Sequence, residues 1–286
     1  TAMILRGNVF SRVLEMETGI TVVIPDGFEQ DRPYQVAYLL HGLCGRNGDL
    51  VDYSMLPVYA KDYHAALVMP EVARSFYTDM KYGLKYFTYI TEELPAICKT
   101  VFRISAGRED TAIMGASMGG YGALKCALSR PEQYGSCCAF SSACLFLKEF
   151  LDSQRQQSDL RALRATYGDQ LITDFQAAFG ERLESNPRDD ILELARNVSG
   201  AAVKPKLYCT CGTEDDLHSD NVRFRDEIAK LDLDFVYEEW PGIHDWAFFN
   251  ESYRRALKWC FGSSSESSSR TGLERGTVEK DPSCGR

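Results

Sequence analysis

Ser117 stands in Gly115-Ala116-Ser117-Met118-Gly119, a G-x-S-x-G pattern. A serine hydroxyl is a weak nucleophile until a base takes its proton. Four histidines could supply that base: His41, His64, His218 and His244. When such a serine sits on a tight strand-to-helix turn, an acid and then a histidine follow it along the chain. His244, in Pro241-Gly242-Ile243-His244-Asp245-Trp246, occupies that last place. His64 is far upstream and reads as a surface or packing residue. His218 is too near the acidic loop to reach across a site. The acid should follow a late strand, and Leu207–Cys211 runs into Gly212-Thr213-Glu214-Asp215-Asp216. Asp215 is favoured, with Asp216 as the alternative. Such an acid fixes the imidazole tautomer and stabilises the imidazolium as it forms. The chemistry implied is acyl transfer, which also needs N–H donors aimed at the developing oxyanion. The backbone of Met118 offers one. Leu43, in Leu40-His41-Gly42-Leu43-Cys44-Gly45, offers the second. His41 is expected to support that loop structurally.

These residues need a frame that brings distant loops together. The apolar run Ala112-Ile113-Met114 precedes the serine, and a helix from Met118 to Leu128 follows it. The flanking glycines fit because side chains there would collide with the neighbouring strand and helix. Other strands are predicted at Tyr34–Leu40, Ala65–Met69 (closed by Pro70), Ser136–Phe140, Lys206–Cys211 and Phe235–Glu239. Asn8–Pro25 reads as two strands about a turn at Thr18-Gly19. Tyr82–Thr100 has helical spacing, with Pro95 as a kink. Strands alternating with helices predict a mostly parallel central sheet covered on both faces. From about 144 to 202 the rhythm breaks into helical segments without a strand, an insertion expected over the active site. The aromatic run from Phe76 to Phe87, and Trp246, could line a pocket there, although such residues are more often core.

The 286 residues carry a net charge of −9. Residues 262–286 hold four acids and four bases, so the excess lies on residues 1–261. An acidic body without clustered Lys and Arg argues against nucleic acid as a partner. No stretch approaches the roughly 18 apolar residues of a membrane span. The ten cysteines are scattered, with no zinc-like spacing. Thr1–Phe10 lacks the apolar run of a signal peptide. Reduced thiols and a cytoplasmic location are therefore expected. The domain reading is one catalytic unit over 1–261 and a Ser-rich, disordered tail over 262–286.

The motifs together resemble the esterase D-like serine esterases, closest to the bacterial tributyrin-esterase branch. The matching stretches are Tyr38-Leu39-Leu40-His41-Gly42, Phe76-Tyr77-Thr78-Asp79 and Tyr89 to Pro95. They continue with Gly115 to Gly122, Cys211 to Asp215 and Gly242 to Trp246. The resemblance spans about Asn8 to Phe261. It implies an α/β-hydrolase fold, no metal or other cofactor, Asp215 rather than Asp216 as the acid, and Leu43 and Met118 as oxyanion donors. It also implies short acyl esters, or acetylated or feruloylated carbohydrate, as substrates. Relatives often carry an aromatic near position 50, where this chain has Leu50. The S-formylglutathione branch usually has Ser-Gly where His41-Gly42 stands.

The expectation is a metal-free serine carboxylesterase with Ser117, His244 and Asp215 as its triad. The alternatives are an S-formylglutathione hydrolase-like thioesterase, an acyltransferase that passes the acyl group to an alcohol, and a non-catalytic binding protein on the same fold. The partner is a small-molecule or carbohydrate ester, with no nucleic acid and no membrane. The reading leaves room for a homo-oligomer.

Overall fold

The computed structural model describes residues 2–26, 31–156, 161, 164–165 and 168–262. Eight strands form one sheet in the order β1-β2-β4-β3-β5-β6-β7-β8. They are β1 Ala2–Ser11, β2 Met16–Pro25, β3 Gln35–Leu40, β4 Ala65–Pro70, β5 Thr111–Ala116, β6 Ser136–Phe140, β7 Lys206–Gly212 and β8 Phe235–Trp240. From β4 to β8 every pairing is parallel, while β1 and β2 form an antiparallel flank.

The central strands read as unbroken apolar runs because both faces are covered. In β3, Val36, Tyr38 and Leu40 enter one core and Ala37 and Leu39 the other. The first core is roofed by the helices Met118–Ser129 and Leu94–Val101 and by the helical segment between β6 and β7. The second packs under the C-terminal helix Trp246–Phe261. Among the described residues between β6 and β7 there are helices at Leu147–Gln156, Asp169–Phe179 and Ile191–Ser199, and no strand.

Two expectations change. The hairpin turn falls at residues 12–15, where Glu15 takes a positive φ of 54°, and not at Thr18-Gly19. Gly19 is inside β2, opposite Asn8, and a Cβ there would lie 2.9 Å from the Asn47 amide oxygen. The glycine thus marks a close side-chain approach to a strand, a use that mimics a turn signal. Upstream of Pro95, the helical run is broken by a π-helical turn at Tyr89–Glu93, and Pro95 sits in the first turn of the helix that follows. The missing N–H is harmless at that position. Of the expected disordered tail, residues 263–286 lie outside the described residues. No helix among the described residues is long and apolar enough to cross a membrane.

Candidate active site

β5 ends directly beneath Ser117. The serine has φ 58° and ψ −122°, a left-handed conformation costly for any side chain. Neighbouring hydrogen bonds hold it there. Its N–H donates to the Phe140 carbonyl at 2.9 Å, and its own carbonyl accepts from Gly120 at 3.0 Å and Ala143 at 3.2 Å. The glycines on either side are required by contact. A Cβ on Gly115 would come within 2.2 Å of the Gly119 carbonyl oxygen, and one on Gly119 within 2.0 Å of the Leu40 carbonyl oxygen. The helix Met118–Ser129 therefore begins with its backbone pressed against the end of β3. At its first turn, N–H groups have no carbonyl one turn back to bond, and Met118 is the first of them.

The loop after β3 lies on the other side of Ser117. A Cβ placed on Gly42 would be 3.7 Å from the Ser117 Cβ. Gly45 N–H donates to the Gly42 carbonyl at 3.0 Å, closing a tight turn through Leu43. Leu43 itself is half-buried against the core.

β7 and β8 deliver the acidic loop and the histidine. Their ends are in close backbone contact: a Cβ on Gly212 would meet the Gly242 carbonyl oxygen at 2.2 Å, and Thr213 N–H donates to the Trp240 carbonyl at 3.1 Å. His244 Nδ1 donates to Asp215 Oδ2 at 2.8 Å. The Asp215 side chain is fully buried, while His244 is one-third exposed. Burial alone would raise the Asp215 carboxyl. The hydrogen bonds from His244 and from the Leu217 N–H outweigh it and hold the pKa below the usual carboxylate value. Asp216 is exposed, so the geometry pairs His244 with Asp215. Asp245 caps the helix Trp246–Phe261 through the Phe248 N–H at 3.0 Å, which fixes the start of that helix immediately after His244. The His244 ring stands edge-on to Phe249 at 5.1 Å.

The other histidines are engaged elsewhere. His64 stacks on Tyr34 at 4.2 Å. His218 Nε2 lies 3.0 Å from the Glu239 carboxylate. His41 is buried beside the Gly42 turn, where its Nδ1 lies 2.8 Å from the Gly42 carbonyl oxygen.

Trp246 packs against Tyr53 and Phe249. Phe76 is core, stacked on Phe175 at 4.8 Å. Tyr82 and Phe87 instead line a cavity of about 1010 Å³ shared with Asp79, Lys125 and Arg188. None of the five sequence-predicted site residues borders that cavity. Among the described residues, no three His, Cys, Asp or Glu side chains cluster as metal ligands. The described cysteines are free thiols, and burial pushes Cys98, Cys126 and Cys209 up to about 12, which leaves them protonated and poorly nucleophilic.

Sequence reasoning missed the supports around these groups. Phe76 and Tyr77 both take φ 51°, and Ser141 and Cys144 are also left-handed. Asn221 braces the 141–144 loop, accepting the Ser142 N–H and donating to the Ser142 carbonyl, each at 3.1 Å. No local pattern announces such partners, which are 79 residues apart.

The sheet order, the serine turn at the end of β5 and the helices on both faces define an α/β-hydrolase fold. An esterase family model, described as "Putative esterase", matches residues 11–260, and the chain belongs to that family. It is a carboxylic ester hydrolase. It is 29% identical to the acetyl esterase of Caldicellulosiruptor saccharolyticus over 267 residues, covering 90% of this chain and 97% of that protein. Its fold is similar to fluorophosphonate-binding serine hydrolase F of Staphylococcus aureus, with a TM-score of 0.77, 27% identity, and 91% and 98% of the two chains covered. The S-formylglutathione hydrolase of Staphylococcus aureus gives a TM-score of 0.76 at 26% identity, over 91% and 99% of the chains. The expected kinship with serine esterases holds.

Proposed function

We propose that the protein hydrolyses short acyl esters, acetyl substituents on carbohydrate or small alcohols among them, through a covalent acyl-serine. The observation that carries this reading is the His244–Asp215 hydrogen bond, made by loops at the same sheet end as the strained Ser117 turn. In this scheme the Ser117 hydroxyl attacks the ester carbonyl carbon while His244 Nε2 takes its proton. The carbonyl oxygen, now negative, accepts hydrogen bonds from the Met118 and Leu43 N–H groups. The imidazolium, held by the Asp215 carboxylate, gives the proton to the departing alkoxide and the C–O bond breaks. Water then adds to the acyl-serine with His244 as base. The acid leaves and the serine hydroxyl is restored.

A glutathione thioester is the second reading, supported by a match of 42% identity to the mouse S-formylglutathione hydrolase. That match spans 22% of each chain, against 97% of the acetyl esterase. The staphylococcal S-formylglutathione hydrolase matches 91% of this chain at 26% identity, close to the 29% of the acetyl esterase. The oxygen ester is therefore preferred on His41-Gly42, which stands where the thioesterase branch usually has Ser-Gly. Ser117→Ala tests the scheme. Hydrolysis of p-nitrophenyl acetate and butyrate should fall by at least about 10⁴-fold. The single fluorophosphonate adduct seen by mass spectrometry on the wild type should vanish, with the fold unchanged by circular dichroism. Retained turnover, or an adduct on another residue, would overturn the assignment. Comparing those esters with S-formylglutathione separates the two substrate readings.

A further inference from the structure

The turn that carries Leu43 is gripped by groups that the reaction scheme leaves idle. His41 is 2% exposed. Its Nδ1 lies 2.8 Å from the Gly42 carbonyl oxygen, which can only accept, so the ring carries a proton on Nδ1. Its Nε2 sits between the Val72 N–H at 3.2 Å and Glu71 Oε1 at 3.3 Å. The Nδ1 proton is needed whether Nε2 accepts from Val72 or donates to Glu71. Glu71 in turn accepts from the Ala73 N–H at 2.8 Å and the Asn47 N–H at 3.1 Å. The Glu71 carboxylate thus lies against both ends of the 41–47 segment, at the His41 ring and at the Asn47 N–H. The Tyr77 hydroxyl, itself buried, donates to the His41 carbonyl at 2.8 Å.

The geometry of a peptide unit turns this grip into an aiming device. The Gly42 carbonyl and the Leu43 N–H belong to one planar trans peptide and point in opposite directions. Two donors fix the carbonyl, His41 Nδ1 and the Gly45 N–H. The direction of the Leu43 N–H is then fixed as well, and the Gly42 that precedes it lies against Ser117.

We propose that His41 is a positioning residue for ester cleavage, its Nδ1–H pinning the Gly42 carbonyl so that the Leu43 N–H stays aimed at the oxyanion, with Glu71 holding the ring in place. This rests on the reading of Leu43 as an oxyanion donor. His41 touches no reacting atom. It acts by removing the freedom of one peptide to rotate, which preorganises a donor before charge develops.

The test is a series at position 41 assayed on p-nitrophenyl butyrate. The amide nitrogen of Asn can take the place of Nδ1, and that of Gln the place of Nε2. His41→Asn should keep most of kcat. His41→Gln and His41→Ala should each lose about ten- to a hundredfold in kcat at unchanged KM, short of the roughly hundred- to thousandfold cost of deleting a donor. Affinity for a butyl trifluoromethyl ketone, whose carbonyl is attacked by the Ser117 hydroxyl to give a tetrahedral hemiketal oxyanion, should fall in parallel with kcat. Affinity for butyrate should not move. A purely structural histidine would instead make Gln at least as good as Asn, or would lower kcat and raise KM together, and either result overturns the inference. Thermal melts identify variants that fail to fold. Glu71→Gln then serves as the second probe, with a smaller loss of kcat in the same direction. If Ser117→Ala stays active, the site reading fails and takes this inference with it. If Ser117→Ala is dead while His41→Ala has wild-type kcat, only the role of His41 falls.

Discussion

The Glu214 carboxylate accepts the Gly242 N–H at 2.5 Å, and the Glu214 N–H donates back to the Gly242 carbonyl at 3.0 Å. This reciprocal pair joins the loop before Asp215 to the loop before His244. Glu214 is exposed, and the Gly242 N–H and the Thr213 hydroxyl hold its carboxyl below the usual carboxylate value. Glu214→Ala removes one half of the pair and leaves the backbone half. The expected result is a several-fold drop in kcat with little change in thermal stability, measured on a short nitrophenyl ester. Misplacement of a catalytic group by about 1 Å can cost about a hundredfold, so a braced loop should lose less.

Asp215 and Asp216 are chemically identical neighbours in different surroundings. Asp215→Asn keeps the shape but offers His244 an amide in place of a charge. Its kcat should fall by about 10³- to 10⁴-fold. Asp216→Asn, at an exposed position, should stay within about twofold of wild type and change stability by less than about 0.5 kcal/mol. The pair should be assayed side by side, and reversed phenotypes would move the acid to Asp216.

Gly119→Ala should destabilise the protein by at least about 2 kcal/mol, or prevent folding, because its Cβ would meet the Leu40 carbonyl oxygen at 2.0 Å. Gly7→Ala is the control, since nothing lies within 4 Å of a Cβ there. Urea unfolding of both variants checks the contrast.

Glu71 gives a pH-dependent stability with a defined sign. Burial would raise its carboxyl, but His41 and the Ala73 and Asn47 N–H groups hold it down at about 2, against an ordinary 4.5. A carboxyl depressed in the folded state stabilises it above the unfolded pKa and loses that contribution as pH falls through the folded one. Wild type should therefore exceed Glu71→Gln in stability at pH 7. The gap should narrow between pH 4.5 and 2, as read by denaturant melts at stepped pH. A gap constant over that range would show that the charge on Glu71 contributes nothing.

The parts of this fold written in local pattern were legible in the sequence. Buried parallel strands announce themselves as short apolar runs, and β3 to β8 fall within two residues of where those runs lie. β1 has no such signal. Most of its residues are exposed, and pairing with β2 makes it a strand, so its first half was missed. The places of Ser117 on the turn after β5 and of His244 just before the last helix were legible because strand, turn and chain order constrain them, whereas their catalytic roles remain proposed. Choosing among Glu214, Asp215 and Asp216 was harder, because burial there depends on how the turn after β7 folds back on Gly242. The link from Glu71 to His41 left no trace, since thirty residues separate two side chains that meet only when β3 and β4 are paired.

The contact of Gly119 with the end of β3 also bears on how such proteins diverge. Backbone touches backbone there, so no side chain is available to tune the gap between the serine turn and the Gly42 turn. Substitutions elsewhere can widen, narrow or repaint the surroundings, but this spacing is inherited whole or lost. Differences in preferred ester between this chain and its relatives should therefore map to residues around that fixed pair of turns, the helical segment between β6 and β7 foremost. A search for specificity by mutagenesis can start there and leave the turns untouched.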